Sequence, residues 1–167
     1  MNTPLRTYLS SKNRPIEAFV HWRSQHLLDL SPPYQRGDVW GIKRRANFIR
    51  SLSFGVPVPS IIISDRLDHE NGGYVVIDGK QRISTLLLFV DNAFAVPADW
   101  FQENARGFTV FSDLPIPERR KFLHKGIPTH EGRFDSIESE KLVFDLINFG
   151  GLQQGEVDSD LIEAPAL

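Results

Sequence analysis

The chain of 167 residues contains no cysteine. That absence removes disulfides, thiolate metal sites and thiol nucleophiles from consideration. No apolar run approaches the length of a membrane span, and the N-terminus carries no signal-peptide hydrophobic region. The expected compartment is therefore the cytoplasm, with no membrane contact. Net charge is also scarce, −2 at neutral pH, so the surface as a whole is no general trap for nucleic acid.

The small net charge conceals an uneven distribution. Residues 34–50 hold Arg36, Lys43, Arg44, Arg45 and Arg50 against one acid, Asp38. Residues 156–167 hold Glu156, Asp158, Asp160 and Glu163 with no base. Such polarity suits an anionic ligand at one place only. Length and composition fit one globular domain with a real core. We divide it into a flexible arm (1–14), a folded domain (15–155) and an acidic, disordered tail (156–167).

The centre of the chain is Tyr74-Val75-Val76-Ile77 followed by Asp78-Gly79-Lys80-Gln81-Arg82. The first four residues form a β-branched run behind a glycine turn, which reads as a strand. From Ile83 onward Ile83, Leu86, Leu87 and Val90 repeat at helical spacing. Asp78 to Arg82 therefore sit at a strand-to-helix junction. The first turn of a helix leaves N–H groups unpaired and carries partial positive charge. Gly79 permits close backbone approach and Arg82 offers a planar cationic fork, so the junction can hold a phosphate. Asp78 can bind a metal ion, orient a water or cap the helix, and plain capping with a surface arginine fits the same residues.

Upstream, Pro15 to Trp22 reads as a short helix and Leu27 to Leu30 as a strand stopped by Pro32-Pro33. A polar loop, Tyr34 to Trp40, leads to a helix from Val39 to Ser53 with Asp38 as its N-cap. Ile42, Ala46, Ile49 and Ser53 mark one face of it. Lys43, Asn47 and Arg50, with Arg44 adjacent, mark a basic face for solvent or for nucleic-acid phosphates. Ser60 to Ser64 reads as a strand paired antiparallel with the central one. His69 lies in the connecting turn with Asp65, Asp68 and Glu70, a solvated turn more than a metal site.

Downstream, Phe108 to Phe111 suits a buried strand, and a short basic helix runs from Pro117 to Gly126. The last helix spans residues 136–149, with Asp135 and Glu138 as a capping pair and Ser139, Leu142, Val143, Leu146 and Ile147 as its inner stripe. Asn148 falls in its last turn, where it can close a helix end or face a pocket.

Three segments now coincide: Pro33-Tyr34-Gln35-Arg36-Gly37-Asp38-Val39-Trp40; Asp78-Gly79-Lys80-Gln81-Arg82 with Thr85-Leu86; and Phe144 with Asn148, Gly150 and Gly151. In this order they resemble the N-terminal domain family of GmrSD-type, modification-dependent restriction enzymes. The resemblance covers about residues 15–155. It implies an α+β, ParB/sulfiredoxin-like fold, a small mixed sheet flanked by helices. It also implies a nucleotide-handling domain of a prokaryotic or phage DNA-conflict system, partnered by DNA and a separately encoded nuclease or effector.

By position, Tyr34, Gln35, Arg36, Gly79, Lys80 and Asn148 would bind a nucleoside triphosphate. Asp78, Gln81 and Arg82 would form the reactive floor, with Mg²⁺ on Asp78. Lys43, Arg44 and Arg50 would meet DNA. The family usually has Gln where this chain has Lys80, and no nuclease domain is expected after the third segment. Competing readings are a non-catalytic DNA-binding or regulatory module and, last, a metal-dependent nuclease built on Asp78.

Overall fold

The computed structural model describes residues 9–35, 37–66 and 72–149. The tail from 156, most of the expected arm, and Asp68, His69 and Glu70 lie outside the described residues.

The central hairpin is as read from sequence. β3 (Ile61–Asp65) and β4 (Tyr74–Asp78) pair antiparallel. Around it a five-stranded mixed sheet takes the order β1-β7-β3-β4-β2, from β1 (Ser10–Pro15), β7 (Gly126–Gly132) and β2 (Leu28–Asp29). β2 joins β4 in parallel, β7 joins β3 in parallel, and β1 closes the far edge antiparallel to β7.

Residue alternation on β3 and β4 divides the core. Ile61, Ile63 and Val76 face one side, where they pack with α1 (Ile16–Ser24), α2 (Ile42–Ser53), α3 (Lys80–Val90) and α4 (Ile116–Leu123). Phe89 on α3 is fully buried there, with the rings of Phe94, Phe101, Phe111 and Phe122 at 5.3–5.9 Å. Ile62 and Ile77 face the other side and meet Phe134 and Val143, the latter on α5 (Ile137–Phe149). The domain is thus α+β, with helices on both faces of a mixed sheet. No helix among the described residues is long and apolar enough to cross a membrane.

Several expectations are corrected. Residues 10–14 belong to β1, not to a loose arm, because Lys12 and Arg14 pair with the buried carboxylate of Glu131 on β7. α2 begins at Ile42 behind Gly41, and Asp38 does not cap it; Asp38 pairs with Arg45 instead. Its inner face is Arg45, Phe48, Ile49 and Leu52, which leaves Ile42 exposed. Phe108 and Thr109 form a small outlying pair of strands, β6 (Phe108–Thr109) with β5 (Val96–Pro97), and Phe108 is 76% exposed. Ser136, not Asp135, caps α5 by accepting the Ser139 N–H at 3.2 Å. On α5 the stripe of Leu142, Leu146 and Ile147 is exposed, because Glu140, Val143 and Phe144 turn toward the sheet.

Candidate functional site: a cleft at the end of the central strand

β4 ends at Asp78 and α3 begins two residues later. Gly79 makes this abrupt change possible. Its φ is +99°, and a Cβ there would lie 3.0 Å from the Ile61 side chain. Having no side chain, Gly79 supplies no cap to the first-turn N–H groups of α3. Lys80, Gln81 and Arg82 therefore stand in that first turn rather than before it.

Each of the three has a protein partner. Arg82 donates from Nη2 to Asp78 Oδ2 at 2.6 Å, and from Nη1 to the carbonyls of Pro59 at 2.8 Å and Ser60 at 3.2 Å. Its guanidinium thus locks the chain entering β3 to the end of β4. Gln81 Oε1 accepts the N–H groups of Val39 and Trp40, each at 3.1 Å, while Nε2 donates to the Gly37 carbonyl at 3.3 Å. The Gln81 carboxamide is a staple for the loop ahead of α2. Lys80 Nζ donates to Ser31 Oγ at 3.4 Å.

The loop brings its own residues to the same place. Gln35 Nε2 donates to the carbonyls of Val76 and Ile77, both at 2.5 Å. Gln35 Oε1 is buried and has no hydrogen-bond partner among the described residues. Tyr34 donates its hydroxyl to Glu140 Oε2 at 3.1 Å, and its ring lies 5.5 Å from that of Phe144. Burial, followed by the negative charge of Glu140, pushes the Tyr34 hydroxyl pKa well up. Glu140, 1% exposed, is also held by both Nε and Nη2 of Arg66. Arg36 lies outside the described residues.

Sequence reasoning missed two residues of this framework. Arg45, 5% exposed, donates to the Trp40 carbonyl and to Thr85 Oγ1, each at 3.0 Å, and pairs with Asp38. Its signal was position: it shares the helical face of Phe48, Ile49 and Leu52. Glu140 gave only an acid on an otherwise apolar face.

Together these elements enclose a cleft of about 670 Å³. Tyr34, Gln35, Asp78, Gly79, Lys80, Gln81, Arg82 and Asn148 all line it, so segments far apart in sequence converge. Arg44 joins them, whereas Lys43 and Arg50 do not. Asn148 donates to the Phe144 carbonyl at 2.8 Å, so it fills its local role at the helix end and faces the cleft as well. Four basic side chains (Arg44, Lys80, Arg82, Lys141) face two acidic ones (Asp78, Asp145), and Tyr34, Trp40 and Phe144 provide ring surface. No group of three His, Cys, Asp or Glu side chains among the described residues could hold a metal ion.

The arrangement is that of an α+β domain with a cleft at a strand-to-helix turn, lined by more basic than acidic side chains. The chain matches the family described as GmrSD restriction endonuclease, N-terminal domain, over residues 17–164, and it belongs to that family. Membership ties the domain to a restriction-type DNA-conflict system. No curated protein and no solved structure matches the chain.

Proposed function

We propose that the cleft binds a nucleoside triphosphate and that the domain uses its binding or hydrolysis to act with DNA. The observation that carries this reading is the excess of basic side chains around the uncapped N-terminus of α3, beside three aromatic rings. Phosphates belong at Gly79 and Lys80, where backbone N–H groups and positive charge coincide. Arg44 adds charge at the rim, where Lys141 is paired with Asp145 at 2.6 Å, and Tyr34, Trp40 or Phe144 can take the base. Asn148 borders the ligand.

Asp78 engages Arg82 through one carboxylate oxygen, leaving the other for a water or a cation. The donor set fits only a magnesium carried on the ligand's phosphates, since magnesium needs few protein carboxylates when phosphates supply oxygens. Bound there, the ion would neutralise phosphate charge. Hydrolysis needs positioning and charge stabilisation more than a nucleophilic side chain, so Asp78 orienting the attacking water would suffice. Gln81 acts through the Val39–Trp40 backbone, not on the water, and Arg82 holds Asp78 in place.

The second reading, a nucleotide-sensing module without turnover, is favoured by those same engagements of Gln81 and Arg82. A nuclease reading has least support, as a single carboxylate faces the cleft floor. A panel of labelled nucleotides, with and without Mg²⁺, tests the proposal through binding and phosphate release. Wild type binds a triphosphate at micromolar to millimolar concentration. Asp78→Asn keeps binding and loses Mg²⁺-dependent release. Absence of binding to every nucleotide refutes the cleft assignment.

A further inference from the structure

The outer face of α2 differs from the rest of the surface. It carries Lys43, Arg44 and Arg50, and α2 contains no acidic residue. None of these three makes an ion pair among the described residues. The two arginines pack against aromatic rings instead. The Arg44 guanidinium lies 4.9 Å from the Trp40 ring centre, and that of Arg50 lies 5.3 Å from Phe54 and 5.6 Å from Trp100. Phe54 is 57% exposed, yet its backbone is fixed, donating to the Arg50 carbonyl at 3.0 Å. Trp40 and Arg44 also line the cleft. The cationic and aromatic face therefore starts at the cleft rim and runs roughly 15 Å along the helix, from Arg44 to Phe54.

We infer that this face binds single-stranded nucleic acid. Phosphates lie against Lys43, Arg44 and Arg50, and bases stack on Phe54 and Trp100. This deepens the reading of the domain as one that acts with DNA. The form of the nucleic acid follows from the aromatics. A ring can stack on a base only when the base is out of its duplex, and such stacking tolerates any sequence. A duplex reader would need cations but no exposed Phe54. The absence of acidic side chains on α2 matches a polyanion in place of a mixed-charge protein surface.

The test is fluorescence anisotropy of a labelled oligonucleotide, as single strand and as duplex, on the full chain with a salt series. Tryptophan emission is followed in parallel. The single strand binds more tightly and quenches emission. Three phosphate contacts give a salt slope of about −2, and Arg50→Ala makes it shallower by roughly 0.7. Phe54→Ala weakens single-strand binding about tenfold and leaves duplex binding unchanged. Unfolding curves for Phe54→Ala, an exposed position, verify the fold. Equal or tighter duplex binding, with Phe54→Ala silent, overturns the stacking inference and leaves a phosphate-only DNA face. Binding of neither form overturns the whole α2 assignment. Nucleotide affinity in the cleft, measured separately on Arg50→Ala, is independent of both outcomes.

Discussion

Two groups of cations lie on either side of Trp40, and they are wired oppositely. In the framework that supports the cleft, Arg82 is bound to Asp78 and two carbonyls, Arg66 to Glu140, and Arg45 to Asp38, Thr85 and Trp40. On α2, Lys43, Arg44 and Arg50 have no anionic partner among the described residues. The first group holds three remote segments at one place, and removing Arg66 leaves Glu140 as an uncompensated buried charge. The second group contributes little to stability, because exposed side chains can be exchanged at small cost. A cation's partner, more than its exposure, separates framework from binding surface here.

The comparison is broken most severely at Glu140. Glu140→Ala strands Arg66 and Tyr34 and should cost about 4 kcal/mol in urea unfolding. Because Glu140 ties α5 to Tyr34 and Arg66, nucleotide affinity should fall with it. A loss below about 1 kcal/mol would mean that α5 is held by Val143 and Phe144 alone.

Next is Glu131, which tests the same principle away from the cleft. Burial alone would raise its pKa, but hydrogen bonds from Arg14, Lys12 and Thr129 outweigh burial and bring it down to about 2. A carboxyl whose folded pKa is depressed stabilises the fold fully above its unfolded pKa of about 4.3, and loses that contribution as pH falls toward the folded value. Wild type should therefore lose roughly 2–3 kcal/mol between about pH 4.5 and pH 2 through this group. Glu131→Gln should flatten the stability profile in that window.

Arg82→Ala follows, with an expected loss of about 2 kcal/mol, from the Asp78 pair and the two carbonyl bonds. Arg82→Lys should restore the charge but only part of the stability, as an ammonium cannot serve Asp78, Pro59 and Ser60 with the planar geometry of the guanidinium. Unchanged stability with lost nucleotide binding would move Arg82 from framework to ligand contact. The smallest effect belongs to α2: reversing Lys43, Arg44 and Arg50 to Glu should change stability by no more than ~0.5 kcal/mol per position while abolishing DNA binding.

The parts of this fold that could be read in the sequence are those decided locally. The β4–α3 junction was legible because the β-branched run, Gly79 and the helical repeat from Ile83 are contiguous. β7 was not, since Pro128 and Glu131 both argue against a strand. Pro128 is tolerated opposite Asn13, and Glu131 is neutralised by Lys12 and Arg14 from β1, more than a hundred residues away. The exposed stripe on α5 failed for the same reason. Period identified an apolar face, but a distant arginine, Arg66, selected the face that holds Glu140. Arg45 hid within a basic run whose other members face water. Convergence of the segments on one cleft was implied by the family resemblance and by the first two lying at the ends of neighbouring strands; that Gln81 is already engaged by the loop before α2, and Arg82 by the chain entering β3, was not legible, as those partners lie far off in sequence.

The most direct test is amide chemical-shift mapping of the isotopically labelled domain, titrated with a non-hydrolysable triphosphate and Mg²⁺. Shifts should concentrate at Gln35, Gly79, Lys80 and Asn148, with Lys43 and Arg50 unmoved. Shifts centred on α2, or spread without saturation, would contradict the cleft as the nucleotide site.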